Sequence, residues 1–384
     1  MDQQPPSANR REFLLGQSAA RAAVAAIRRV VDAAEGTEEP TEPGSDGALI
    51  EATLQADTFL THYARQAMAC EFEVIFNVAT ASAANNAAFA ALDLIDRLED
   101  QMTVYREHSE ISRLNRTAAH RAVTVEPRLF ATLQMAVDRY RETEGAYDIT
   151  SGPLSKLWGF YRRAGKLPTQ QEITESLSHV GSDKLELDTS DHTFRFLDDK
   201  VEINLGSIGK GYALDRAAEV MEQQGVTSFL LHGGQSSILA RGAASTASTT
   251  PGWWIGVRHP LRPQQRLAQV RVVNRALATS GSGVQFFVQA GKRYGHILDP
   301  RTGWPAEGTL SATVVAPTAA EADAMSTAFY VMGLDESVRY CQNRPDLGLI
   351  LVRRGTNAGS VEVTTVGIDE TDLQWNSDRP IREV

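Results

Sequence analysis

A chain of 384 residues with 42% apolar and 22% charged content has room for one large globular domain or two ordinary ones, with a substantial core. A net charge of -10 argues against a general nucleic-acid binder, whose phosphate contacts need basic patches, and no run of about 18 apolar residues offers a membrane span. The two cysteines, Cys70 and Cys341, form neither a metal-ligand spacing nor a disulfide framework.

Near the N-terminus, "NRREFLLGQSAARAAVAA" has the form of a twin-arginine export signal, with Arg10-Arg11 ahead of Phe13-Leu14 and an Ala-rich run. Arg21, Arg28 and Arg29 interrupt the apolar part, so a solvated amphipathic helix fits the same residues. "EGTEEPTEPGSDG" (35–47) is acidic and rich in Pro and Gly, the composition of a disordered linker. The folded domain is expected to begin near Asp57.

From there "FLTHYARQAMACEFEVIFNV" (59–78) alternates apolar and polar residues and reads as strand. Phe89, Leu92, Ile95, Leu98 and Met102 fall at helical spacing, and "REHSEISRLNR" follows as loop and short helix. Pro127 sits where a helix begins, and Leu129, Leu133, Val137 and Tyr140 keep one face apolar as far as Gly145. "TFRFLDDKVEINL" reads as a hairpin about Asp198-Asp199, and a helix runs from Lys210 to a C-cap at Gly225. "VTSFLLH", "WWIGVRHP", "AQVRVVNRALATS", "YGHILD" and "TLSATVVAP" read as strands, and 319–333 as helix. Long strands of antiparallel style mixed with a few helices predict an α+β domain rather than regular βαβ units.

Three segments carry chemistry. "INLGSIGKGYALD" (203–215) places three glycines and Lys210 between an apolar run and a helix. It fits neither the P-loop nor the dinucleotide fingerprint, yet glycines, a helix N-terminus and a cation suit an anion. An ordinary turn with an exposed lysine accounts for the same residues. In "HILDPRTGWP" (296–305), His296 ends a strand and can take a proton near neutral pH, with Asp299 able to orient it; a turn held by Asp with a surface histidine is the plainer account. In "EADAMSTAFYVMG" (321–333), Asp323 and Thr327 share a helix face and make two hard oxygen ligands for Mg²⁺, although an Asp near a helix N-terminus needs no metal.

These segments, together with "MACEFEV", "VYREHSEISRLN", "GAYDITSGPL", "LLHGGQSS" and "ALATSGSG", stand in one order over about Met68 to Gly333. In that order and spacing the chain resembles the ApbE-type FAD:protein FMN transferases. The resemblance implies a single flavin-transferase domain over 57–372, with 1–56 as targeting-like segment and linker and 373–384 as a tail. It implies FAD contacts at Met68, Tyr105, Ala146, Tyr147, Asp148, Asn204, Lys210 and Ile297. Mg²⁺ would sit on the carbonyl of Ser207, Asp323 and Thr327, and His296 would be the base, with Lys210 and Asp299 assisting. The implied reaction moves FMN from FAD to a Ser or Thr hydroxyl of an acceptor protein, such as a subunit of a membrane redox pump, and releases AMP. FAD hydrolysis to FMN and AMP, and flavin binding without catalysis, are the alternatives. The chain departs from the family at Asn204, commonly Asp, at Gln235 after Gly-Gly, at Ser326, and in "MACE" for "MGT". No cysteine near the N-terminus matches the lipid anchor that some members carry.

Overall fold

The structure, a computed structural model, describes residues 59–77, 81–162, 165–245, 250–281, 283 and 285–376. The Arg10-Arg11 segment, the acidic stretch 35–47 and the expected domain start at Asp57 lie outside them. The chain opens with β1 (Leu60–Ala67), β2 (Cys70–Asn77), α1 (Ala81–Met102), α2 (Glu110–Thr117), β3 (Val123–Thr124) and α3 (Pro127–Glu142). It continues through α4 (Gly152–Leu157), α5 (Gln170–Leu177), β4 (Leu185–Asp188), β5 (Thr193–Phe196), α6 (Gly209–Gln223), β6 (Phe229–Gly233) and β7 (Ser237–Arg241). Then come β8 (Trp253–His259), β9 (Arg262–Val272), β10 (Ala276–Gly281), β11 (Phe286–Gln289), β12 (Lys292–Gly295) and β13 (Thr309–Ala316). α7 (Ala319–Gln342), β14 (Gly348–Arg354), β15 (Val361–Val366) and β16 (Leu373–Trp375) complete it.

Eight strands form one antiparallel sheet in the order β1-β2-β6-β7-β10-β13-β14-β15. The two-residue period of a strand sends neighbouring side chains to opposite faces. Phe72, Val74 and Phe76 therefore meet the helical layer built on Ala87, Ile95, Ala213 and Ala322, while Ile75 joins the opposite core. There Leu230, Leu277, Val315 and Ile350 pack against Trp253, Ile255 and Val270 of the three-stranded sheet β16-β9-β8. Covered on both faces, β13 is buried along its whole length. The α+β expectation is met, and as β16 pairs with β9, the packed chain continues to Trp375, past the boundary of 372 read from the sequence.

Five expected elements are corrected. Residues 59–78 are two antiparallel strands rather than one, turning at Met68-Ala69, both with positive φ (50° and 59°), as a tight hairpin requires. The hairpin across 193–205 does not form. β5 pairs instead with β3 and β4, and the backbone of Ile203 is satisfied by the Asn115 side chain (Nδ2 to O 3.0 Å, N to Oδ1 2.9 Å). "AQVRVVNRALATS" breaks at Asn274, at φ 51°, and feeds two different sheets. "YGHILD" leaves strand geometry after Gly295. The helix expected over 319–333 runs on to Gln342 through a kink at Gly333.

α6 crosses α7 at Gly211, where an added Cβ would stand 2.1 Å from the Ala319 carbonyl oxygen. Gly211→Ala should force the helices apart at a cost of about 1–3 kcal/mol, measurable by urea unfolding. Unchanged stability would mean that the contact yields without strain.

Glu73 of β2 ties three strands, accepting from His62 of β1 (2.8 Å) and His232 of β6 (2.6 Å). Burial pushes its carboxyl up, but the two imidazoles outweigh burial and hold it at about 2, below the ordinary 4.5. Between these values the unfolded chain binds the proton more readily, so stability falls as pH drops from 4.5 towards 2. Glu73→Gln should flatten that acid limb in melting curves taken from pH 5 downward; an unchanged slope would assign the loss to other carboxylates.

Candidate active site

The turn before α6 is shaped by its own side chain: Asn204 Oδ1 accepts from the Gly206 N–H at 2.8 Å, while the Asn204 N–H donates to the Ile149 carbonyl at 2.8 Å. The helix then begins at Gly209 with no cap from the Ile208 side chain, and its first turn is bonded within the protein: the Gly209 N–H donates to the Leu205 carbonyl at 2.6 Å and the Tyr212 N–H to the Ile208 carbonyl at 3.0 Å. Lys210 projects from this turn and donates to Ser236 Oγ. The next residue, Ser237, donates to Asp323 Oδ1 at 2.6 Å, and the Gly211 N–H donates to Asp323 Oδ2 at 2.7 Å. Two adjacent serines thus hold the cation and the carboxylate. Burial raises the Asp323 carboxyl pKa against the opposing pull of Lys210 and the two donors.

One helical turn beyond Asp323, Thr327 lines the same cavity as Lys210, its Oγ1 3.2 Å from Ser280 Oγ; Ser280 Oγ also lies 2.9 Å from Ser326 Oγ. From the opposite wall come Ala146, Tyr147 and Asp148. Asp148 Oδ1 accepts from the Thr150 N–H (2.8 Å), Thr150 Oγ1 (2.7 Å) and Ser182 Oγ (2.6 Å), so this buried carboxylate braces the turn from within. Burial pushes it upward despite those bonds. The fully buried Tyr147 accepts from Ser207 Oγ at 3.3 Å, fixing the glycine turn from below, and burial raises its hydroxyl pKa.

His296 follows β12 directly. Its N–H donates to the Gln285 carbonyl at 3.0 Å, and its Nδ1 lies 3.1 Å from the same oxygen. A carbonyl only accepts, so Nδ1 carries the proton and Nε2 is the basic nitrogen of the neutral ring. Asp299 does not do the aligning expected of it. Both its oxygens are taken by Arg301, from Nε (3.0 Å), Nη2 (3.0 Å) and the backbone N–H (2.9 Å), and Asp299 is absent from the cavity wall. Alignment falls to the Gln285 main chain.

The cavity so formed holds about 450 Å³ and brings together Ala146, Tyr147, Asp148, Asn204, Ser207, Lys210, His296, Ile297 and Thr327, with Asp323 buried behind Lys210. Tyr105 is not in it. The exposed Tyr105 ring packs on Tyr161 (4.7 Å between centroids) and lines a second cavity of about 230 Å³, which shares Gly152 and Asn204 with the first. Met68 lies outside both, at the β1–β2 turn, while its neighbour Cys70 faces the larger one. Ser236, Ser237 and Ser280 are site residues that sequence reasoning did not single out, although the motifs around them were visible. Gln285 acts through its carbonyl and leaves no side-chain signal.

Among the described residues no group of three or more His, Cys, Asp or Glu could hold a metal ion. Asp323 and Thr327 carry hard oxygens of the kind Mg²⁺ accepts, and each Asp323 oxygen accepts one hydrogen bond, which leaves it a further lone pair.

Residues 68–351 match the ApbE family. The FAD:protein FMN transferase of Haemophilus influenzae is 32% identical over 265 residues, which cover 67% of this chain and 75% of that protein. The Escherichia coli K12 protein of the same name is 30% identical over 269 residues, 68% of this chain and 74% of that one. Among solved structures, the ApbE protein of Thermotoga maritima matches with a TM-score of 0.71 at 29% identity, over 82% of this chain and 98% of its own. The flavin transferase ApbE of Vibrio cholerae shares the fold, with a TM-score of 0.69 at 24% identity over 80% and 97% of the two chains.

Proposed function

The chain belongs to the ApbE family, and from that premise we propose that it is an FAD:protein FMN transferase, moving FMN from FAD to a Ser or Thr hydroxyl of an acceptor protein with release of AMP. The observation that carries the reading is one cavity lined by the glycine turn that leads into α6, Lys210 and His296, whose Nε2 is the basic nitrogen. FAD is the substrate, and the two cavities, which share Gly152 and Asn204 in their walls, give its two halves neighbouring places, with Tyr105 and Tyr161 on the smaller one.

The acceptor oxygen bonds to the FMN-side phosphorus, the bond from that phosphorus to the bridging oxygen breaks, and AMP leaves with the bridging oxygen. His296 Nε2 takes the hydroxyl proton, while the Nδ1–H bond to Gln285 holds the ring in the required tautomer. Lys210 and the positive end of the α6 dipole offset charge on the pyrophosphate oxygens. Asp323, Thr327 and the Ser207 carbonyl would hold Mg²⁺, which supplies Lewis-acid stabilisation of the same oxygens. Ser236 and Ser237 keep Lys210 and Asp323 apart and aimed.

Incubation with FAD, Mg²⁺ and a Thr-containing peptide tests this by mass spectrometry. An FMN adduct on the peptide with stoichiometric AMP is expected. Free FMN with unmodified peptide would make the protein an FAD hydrolase, and intact FAD would leave a flavin binder.

A further inference from the structure

The hairpin β11–β12 connects two residues of the cavity wall, Gln285 and His296, and presents one face that the mechanism does not use. Its two-residue alternation turns Phe287 and Tyr294 inward, where both rings meet Trp158. Phe286, Val288 and Arg293 turn outward, with Phe286 paired to Gly295 and Val288 to Arg293. Phe286 is 44% and Val288 60% exposed, and among the described residues they are the only two exposed large hydrophobics on one strand. The Arg293 guanidinium lies 3.6 Å from the Phe286 ring centre, so a cation sits on the apolar patch itself.

Two further observations point to a macromolecule. A side chain at Gly295 would meet nothing within 4 Å, and its φ lies outside the region reserved for glycine. Neither packing nor backbone demands a glycine there, and its effect is to keep the surface open between Phe286 and His296. The hairpin is also rooted on the proposed base, because Gln285, which holds the His296 ring, immediately precedes β11. FAD and water fit within the cavity, whose lining does not include the outer face, whereas a hydroxyl carried on a protein brings flanking residues that must rest on surface beside the cavity. Among the described residues β11 and β12 pair only with each other, so an extended segment finds an unpaired strand edge beside the patch.

We infer that the outer face formed by Phe286, Val288 and Arg293 docks the hydroxyl-bearing segment of the acceptor protein, as an extended peptide with apolar and acidic side chains flanking the target residue. The charge argument is local: the chain as a whole carries -10, and an exposed arginine on an apolar patch beside the cavity favours a carboxylate neighbour over a cationic one. The inference rests on the transferase reading above.

The full chain is presented with FAD, Mg²⁺ and a bead-bound library of Thr-centred hexapeptides, and flavin fluorescence that survives denaturing washes marks covalent transfer. Wild-type beads should be enriched about tenfold for apolar and acidic residues beside the threonine, the scale of one good contact. Phe286→Ser with Val288→Ser should erase the apolar preference, and Arg293→Glu should replace the acidic preference with a basic one. FAD affinity should be unchanged in all three proteins. Fluorescent beads with the same flanking residues for every variant would overturn the docking assignment and leave the transferase reading standing. Fluorescence on no bead would overturn the transferase reading itself, and this inference with it. A wild-type dimer that the Phe286/Val288 variant turns into monomer would make the face a self-interface and also overturn the inference.

Discussion

Replacing His296 with asparagine should lower FMN transfer by about 10² to 10⁴-fold, the span that a positioned general base supplies. At about 1.4 kcal/mol per factor of ten, that is about 3–6 kcal/mol of barrier. FAD affinity should hardly move, because on the proposed mechanism the ring acts on the incoming hydroxyl while the pyrophosphate is held by Lys210 and the start of α6. Asparagine keeps a polar side chain near the Gln285 carbonyl but has no basic nitrogen, so the loss reports proton transfer rather than a collapsed wall. Two further measurements sharpen the test. The wild-type rate should fall on acidification, since a ring protonated on both nitrogens accepts nothing, and the residual rate of the variant should lack that limb. Lys210→Met should behave in the opposite way, weakening FAD binding first. If His296→Asn abolished FAD binding and left the rate per bound flavin intact, His296 would be a binding residue and the base would lie elsewhere. Asp299→Asn should leave the transfer rate nearly unchanged, because its carboxylate is engaged by Arg301.

What the sequence allowed to be read, and what it withheld, follows from how far each interaction reaches along the chain. Asp323 and Thr327 lie one helical turn apart, so their shared direction is a local property of α7 and was legible. Lys210 at a glycine turn ahead of a helix was legible for the same reason. Asp299 misled because two partners competed for it: His296 three residues before and Arg301 two after, and a guanidinium in the same turn makes a two-oxygen contact that an imidazole cannot. The β1–β2 reversal was hidden because Met68-Ala69 carries none of the Asn, Asp or Gly residues that normally mark positive φ. The layering was hidden as well. A strand such as β13, buried on both faces, loses the alternation that tells inside from outside. The long-range pairings of Ser236 with Lys210 and Ser237 with Asp323 depend on β7 arriving beside α6 and α7, which no local pattern encodes.

Those pairings decide how Asp323 should be tested. Removal to alanine leaves the Gly211 N–H and the Ser237 hydroxyl buried without their acceptor, at about 1–3 kcal/mol for each group, so Asp323→Ala confounds lost chemistry with lost stability. Asparagine avoids this. Its Oδ1 can accept from the Gly211 N–H, and its Nδ2 can donate to Ser237 Oγ, because a hydroxyl rotates to accept as readily as it donates. The hydrogen-bond geometry is kept and the negative charge is lost. Asp323→Asn should therefore melt close to the wild type while transfer at limiting Mg²⁺ drops by about 10² to 10³-fold, the rate equivalent of losing several kcal/mol of charge stabilisation. Raising Mg²⁺ should restore part of the rate, since a poorer ligand set weakens binding without removing Thr327 or the Ser207 carbonyl. The Mg²⁺ concentration for half-maximal FAD quenching should shift upward in parallel, a readout independent of turnover. A variant as active as the wild type at limiting Mg²⁺ would remove Asp323 from the metal site and leave it as the hydrogen-bonded brace between α6, β7 and α7 that the structure already shows.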